Sequence, residues 1–291
     1  MKLYYSLFFL LFLISCSTEE SSTSDDEVEE ERGRFTDDWT FEFYMQSPSA
    51  NSFKLWVPEN TTVGAVLVLA PGGATNGTGL VRFKEWQDYA QKEKLALLGV
   101  HVNSDFTVAS YNLIYALNKI ASARNVNYIS DLPFLMRGFS HGGRFGYNFA
   151  SLFNVRTIAF SNIRGTTIGT DKRLPPGLFI TGGKDSAYRN EIIFDAFLSQ
   201  RKENAIACFV EEPRAYHEVA NSDNLTRAFF TSILKERLQN SKLIELKEDD
   251  YFLGDNTSFE YTKYIDYSGE KSKASSLIDE NFIEIWLNSV K

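Results

Sequence analysis

Leu135-Met136-Arg137-Gly138-Phe139-Ser140-His141-Gly142-Gly143 decides the reading of this chain. A mostly apolar run ends in Gly-x-Ser-x-Gly, and Phe145, Phe149 and Leu152 follow at helical spacing. That order of strand, turn and helix predicts a serine held at a sharp, strained bend with its hydroxyl exposed. Glycines two residues before and after the serine let strand and helix approach without a Cβ between them. The pentapeptide alone is a weak signal, because a glycine-rich turn with Ser140 as a helix N-cap has the same spelling. Its weight comes from its surroundings.

Outward from this stretch, apolar runs alternate with amphipathic helical segments. Ala65–Ala70, ended by Pro71-Gly72-Gly73, reads as a buried strand, as do Leu95–Val102, Phe134–Phe139, Thr157–Phe160, Leu178–Thr181 and Ala205–Val210. Helices are expected at 80–94, with Phe83, Trp86 and Ala90 on one face, and at 108–124, with Tyr111, Ile114, Leu117 and Ala121. Two more are expected at about 188–202 and 223–238. Thr40–Tyr44 and Ser52–Val57 alternate like the strands of a leading hairpin. Nonpolar strands separated by helices imply a parallel sheet covered on both faces, a doubly wound α/β fold. Ile278, Phe282, Ile285 and Trp286 fit a last helix, while the aromatic, turn-rich stretch Tyr251–Tyr267 belongs beside the site or across the sheet edge.

A serine hydroxyl is a poor nucleophile at neutral pH and needs a base, which in turn needs an orienting acid. Enzymes built on this elbow take them in chain order serine, acid, histidine, from the carboxyl ends of different strands. Of three histidines, His101 precedes the serine and His141 adjoins it, so His217 is the candidate base. Asp185 is the candidate acid, because Phe179-Ile180-Thr181-Gly182-Gly183-Lys184-Asp185 runs a buried strand into a glycine turn; Asp171 and Asp195 are weaker rivals. A developing oxyanion needs backbone donors. The N–H of His141 is one candidate, and Gly73, with Ala74 as rival, is the other.

These residues together resemble the α/β-hydrolase-fold serine esterases over roughly residues 40 to 240, in particular the secreted feruloyl/acetyl esterase and polyhydroxybutyrate-depolymerase-like group. Gly138-Phe139-Ser140-His141-Gly142-Gly143, with its extra glycine, also resembles the prolyl-oligopeptidase elbow, and Pro71 stands where related enzymes often have histidine. The resemblance implies hydrolysis of carboxylic esters through an acyl-enzyme. Only Ser161 to Gly177 separates the relevant strands, too little for a helical cap domain, and an uncapped site suits acyl groups carried on a bulky extracellular polysaccharide. A prolyl-oligopeptidase-like peptidase or polyester depolymerase is the alternative enzyme. A glycan-binding surface lipoprotein without catalysis is the alternative of another class. No metal or organic cofactor is expected.

Lys2 followed by the apolar run Leu3–Ile14 fits an export signal, too short to span a bilayer as a stable helix. Leu13-Ile14-Ser15-Cys16 resembles the lipobox of bacterial lipoproteins, which implies a lipid anchor at Cys16. Ser17-Thr18-Glu19-Glu20 resembles the acidic signal that directs some of these proteins to the outer cell surface. The expected organisation is a signal at 1–15, an acidic tether at 16–34 and one domain at 35–291, with a C-terminal extension from about 241. Eight of the 38 acids lie in the tether, which leaves 30 acids against 27 bases in 35–291, close to balance, which argues against a nucleic-acid partner. With Cys16 lipidated, Cys208 has no disulfide partner and reads as a small core residue.

Overall fold

The computed structural model describes residues 51–73, 75–102, 105–239 and 242–291. The expected segments at 1–34 and Thr40–Tyr44 lie outside them. The main chain alternates in the order β1 (Ser52–Trp56), β2 (Ala65–Ala70), α1 (Lys84–Glu93), β3 (Leu95–His101), α2 (Phe106–Ala123), β4 (Phe134–Phe139), α3 (His141–Leu152), β5 (Thr157–Ile163), β6 (Gly177–Gly182), α4 (Ala187–Lys202), β7 (Ala207–Glu212) and α5 (Ser222–Arg237). The seven strands form one sheet in the order β1-β3-β2-β4-β5-β6-β7. All its pairings are parallel except β1 with β3, where Ser52 faces His101. The sheet is doubly wound, as the alternation predicts.

The burial pattern explains why the strands are nonpolar throughout. In β2, Val66, Val68 and Ala70 pack toward α2, α3 and α4, while Ala65, Leu67 and Leu69 pack toward α1, α5 and the C-terminal helix. Successive side chains point to opposite faces, and both faces are covered, so no position tolerates a solvated side chain. Phe145, Phe149 and Phe197 fill one layer, and Trp86, Phe229 and Trp286 the other.

Three helical faces differ from expectation. A 3-10 turn at Thr78–Arg82 delays α1 until Lys84, so Phe83 becomes its N-cap residue, 57 % exposed, and Tyr89 joins Trp86 and Ala90 in the core. On α2 the buried face is Leu113, Leu117 and Ile120 with small alanines, and Tyr111 lies outside against the ring of Phe153. Leu152, expected inside, is exposed at the end of α3. Strand β5 runs three residues beyond the expected Phe160, because its polar end is satisfied internally: Ser161 Oγ bonds Thr226 Oγ1 at 2.7 Å. The connection from β5 to β6 contains no helix.

The C-terminal stretch resolves the choice left by its aromatic sequence. After a short ribbon, β8 (Leu238–Gln239) with β9 (Lys242–Leu243), come β10 (Phe252–Gly254), β11 (Tyr261–Lys263) and β12 (Ser275–Leu277) in a small antiparallel sheet, then α6 (Glu280–Ser289). This unit lies across the edge of the main sheet at β7. Ser275 Oγ accepts the Phe209 N–H at 2.8 Å, Ser276 Oγ accepts that of Ala207 at 3.4 Å, and the Trp286 indole donates to the Phe209 carbonyl at 3.1 Å. An edge strand's free backbone groups are thereby satisfied by side chains. Cys208, one residue from these contacts, is fully buried, and burial pushes its thiol up to about 12.

Candidate active site

The segments that follow β4, β6 and β7 at the carboxyl edge of the sheet bring their side chains together. Ser140 follows β4 with φ of 52° and ψ of −112°, a conformation that L-residues rarely adopt, and it makes no side-chain cap to α3. Backbone bonds enforce the bend: the Ser140 N–H donates to Ile163 O at 2.7 Å, and the Gly142 N–H donates to Pro71 O at 3.0 Å. A Cβ at position 138 would sit 2.0 Å from the Gly142 carbonyl oxygen, so the first glycine of the motif is required by close approach. The extra glycine has its own reason, since a Cβ at 143 would lie 2.3 Å from Asn162 Oδ1.

Freed from capping, the Ser140 hydroxyl bonds His217 Nε2 at 2.8 Å, and His217 Nδ1 bonds Asp185 Oδ2 at 2.8 Å. Residues 140, 185 and 217 thus converge, with the sequence-predicted serine, base and acid in one hydrogen-bonded line. Asp185 is favoured over Asp171 and Asp195 by this contact. Its side chain is 5 % exposed. Burial pushes its carboxyl up, but hydrogen bonds from His217, the Ser186 N–H and Arg189, with the guanidinium charge, outweigh burial and hold it below the ordinary carboxylate range. An ionised carboxylate only accepts, so the Nδ1 of His217 carries the proton and Nε2 is left to accept from the serine hydroxyl.

Several contributors escaped the sequence reading. Arg189 lies one helical turn past Asp185, with its Nε 3.1 Å from Oδ2 and 3.2 Å from Oδ1. The i,i+4 spacing of acid and base on a helix start was a usable signal for this pair. Phe139, the residue before the nucleophile, packs its ring 5.2 Å from that of His217 and limits the tilt of the imidazole. No spacing rule announces that contact.

The other two histidines are placed away from the base position. His141 turns its ring onto Phe106, with centroids 4.8 Å apart. Burial, reinforced by the nearby Arg144 charge, pushes its pKa down. Its backbone N–H stands at the start of α3, where helix amides have no intrahelical acceptor. His101 ends β3 and bonds Thr75 O through Nδ1 at 2.9 Å. Gly73 occupies a left-handed turn with φ of 59° in the loop that Pro71 ties to Gly142. Its rival Ala74 and Cys16, the expected site of lipidation, lie outside the described residues. Among the described residues no cluster of metal-ligating side chains occurs.

The same architecture recurs in solved structures. Thermogutta terrifontis esterase 2 superposes with a TM-score of 0.50 at 12 % identity, over 68 % of this chain and 94 % of that one. An esterase from Pyrobaculum calidifontis gives 0.50 at 13 % identity, over 64 % and 81 %. S-formylglutathione hydrolase of Staphylococcus aureus gives 0.46 at 16 % identity, over 67 % and 96 %. The fold is that of the α/β-hydrolases. No family model matches the sequence, and no curated protein sequence does.

Proposed function

We propose that the protein is a serine esterase that hydrolyses carboxylic esters through an acyl-enzyme, with Ser140 as nucleophile, His217 as base and Asp185 as orienting acid. The observation that carries this reading is the unbroken line Ser140 Oγ–His217 Nε2 and His217 Nδ1–Asp185 Oδ2, each contact 2.8 Å, beneath a serine with a strained backbone. The fold shared with two esterase structures supports the same chemistry.

In this mechanism the Ser140 hydroxyl attacks the ester carbonyl while its proton passes to Nε2 of His217. Asp185 stays ionised and stabilises the imidazolium. The N–H groups of His141 and Gly73 receive the negative charge that develops on the carbonyl oxygen, a contribution typically worth about 2.7–4 kcal/mol per donor. Collapse of the tetrahedral intermediate breaks the bond to the alcohol, which takes the proton from His217. Water then attacks the acyl-enzyme by the same route in reverse.

The proposed substrate is an acylated extracellular polysaccharide. Support comes from the connection Arg164 to Pro176, which has no helix to roof the serine, and from the signal-like and acidic N-terminal sequence ending its apolar part at Cys16. On this reading Cys16 carries lipid and anchors the enzyme to the bacterial outer membrane. The test uses the purified chain from residue 32 on p-nitrophenyl acetate, methyl ferulate, acetylated xylan and a proline-containing chromogenic peptide. Turnover of the esters that falls about 10⁵-fold or more in Ser140→Ala supports the reading. Turnover of the peptide alone would favour a peptidase, and no turnover with no fluorophosphonate labelling would leave a binding protein.

A further inference from the structure

A second group of polar side chains lies behind the triad and takes no part in the proton relay. Arg164, the first residue after β5, is fully buried and has a left-handed backbone with φ of 54°. Its guanidinium donates to Ser222 Oγ at 2.8 Å and to Glu212 Oε2 at 2.5 Å. Ser222 donates to the same Oε2 at 2.6 Å, and Oε1 accepts the Asn221 N–H at 3.1 Å. Glu212 ends β7, and Asn221 is the residue from which α5 starts. One carboxylate therefore fastens both ends of the loop 213–221, which carries His217.

The backbone at Arg164 leads to the nucleophile. The Arg164 N–H donates to Ile180 O at 2.8 Å, and its neighbour Ile163 accepts the Ser140 N–H at 2.7 Å. The acid's turn is tied in as well, by Gly183 N–H to Glu212 O at 2.9 Å and Lys184 N–H to Ala215 O at 3.0 Å. His217 itself makes no backbone hydrogen bond among the described residues. Its place is set by its ring contacts, by the Lys184–Ala215 bond within its loop and by the loop's two fastened ends.

Stability is a poor reason for such a group. Arg164 and Glu212 are 0 % and 5 % exposed, and the cost of dehydrating two charges about cancels their attraction. Geometry is the better reason, because a shift of about 1 Å at a reacting group can cost 10²-fold in rate. We propose that Arg164, Glu212 and Ser222 are positioning residues that hold the loop of His217 in register with the elbow of Ser140.

This inference rests on the esterase reading, and the experiment separates the two. The triple variant Arg164→Met/Glu212→Leu/Ser222→Ala replaces the network by apolar groups. Its Tm is expected within a few degrees of the parent, with kcat on p-nitrophenyl acetate down 10- to 100-fold and KM changed less than threefold. The downfield NMR signal of the His217 Nδ1 proton, assigned by its loss in His217→Gln, is expected to broaden. A folded triple variant with parental kcat and an unchanged signal overturns the proposal. If the triple variant does not fold, Ser222→Ala decides: lowered kcat per folded molecule sustains it, and unchanged kcat overturns it. A parent protein without ester turnover sinks the esterase reading, and the proton signal alone then decides whether these residues position the ring.

Discussion

The elbow at Ser140 and the edge cap on β7 are both places where the chain meets a constraint, yet they are built by opposite means. At the elbow backbone meets backbone, with Gly138 held against Gly142 and Gly142 against Ala70 and Pro71 too closely for any side chain. At the edge side chains meet backbone, with Ser275, Ser276 and Trp286 bonding the main chain of Ala207 and Phe209. The first is a geometry that stores strain for chemistry. The second is a closure that stores stability. Damage to one should spare the other.

Trp286→Ala should have the largest effect on folding. It empties a fully buried indole site against Phe259 and leaves the Phe209 carbonyl without its indole donor. A loss of about 3–5 kcal/mol is expected in urea unfolding, with kcat of the folded fraction unchanged. Gly138→Ala should invert that pattern. The added Cβ forces the elbow apart at a cost of about 1–3 kcal/mol, and displacement of Ser140 lowers kcat about 10²-fold. Equal losses of kcat in the two variants would break the distinction.

Arg189→Met is expected to have the smallest effect and to sharpen the picture at the acid. The Asp185 carboxyl is held below its ordinary range, so its contribution to stability is fully present above about pH 4 and lost as pH falls through the lowered folded value. Removing the guanidinium lets that value rise. The acid limb of stability should then still begin near pH 4 but end at higher pH and with smaller amplitude, with a loss of no more than about 1 kcal/mol near neutrality because Arg189 is partly exposed. Urea unfolding between pH 2 and 7 would read the shift; an unmoved acid limb would mean that His217 and the Ser186 amide alone hold the carboxylate.

The same contrast explains what could be read from the sequence. Ser140, Asp185 and His217 were legible because each follows a buried strand and ends it with glycine or a turn, signals contained within ten residues. The parallel sheet was legible because strands covered on both faces cannot accommodate polar positions. The phase of α1 was not, since the 3-10 turn at Thr78–Arg82 delays the helix and moves Phe83 to its cap. Tyr111 shows the other failure: packing on Phe153 accommodates an aromatic ring outside the core at a position that periodicity alone assigns to it. The network of Arg164, Glu212 and Ser222 was invisible because its members are separated by 48 and 58 positions and resemble ordinary surface polar residues.

Because side chains, and not another strand, terminate the sheet at β7, a passing extended segment finds there neither a free amide at Ala207 or Phe209 nor a free carbonyl at Phe209. Shortening the chain ahead of Ser275 would unmask those groups beside Cys208 and Val210, and turn a sealed margin into a template for sheet growth between molecules.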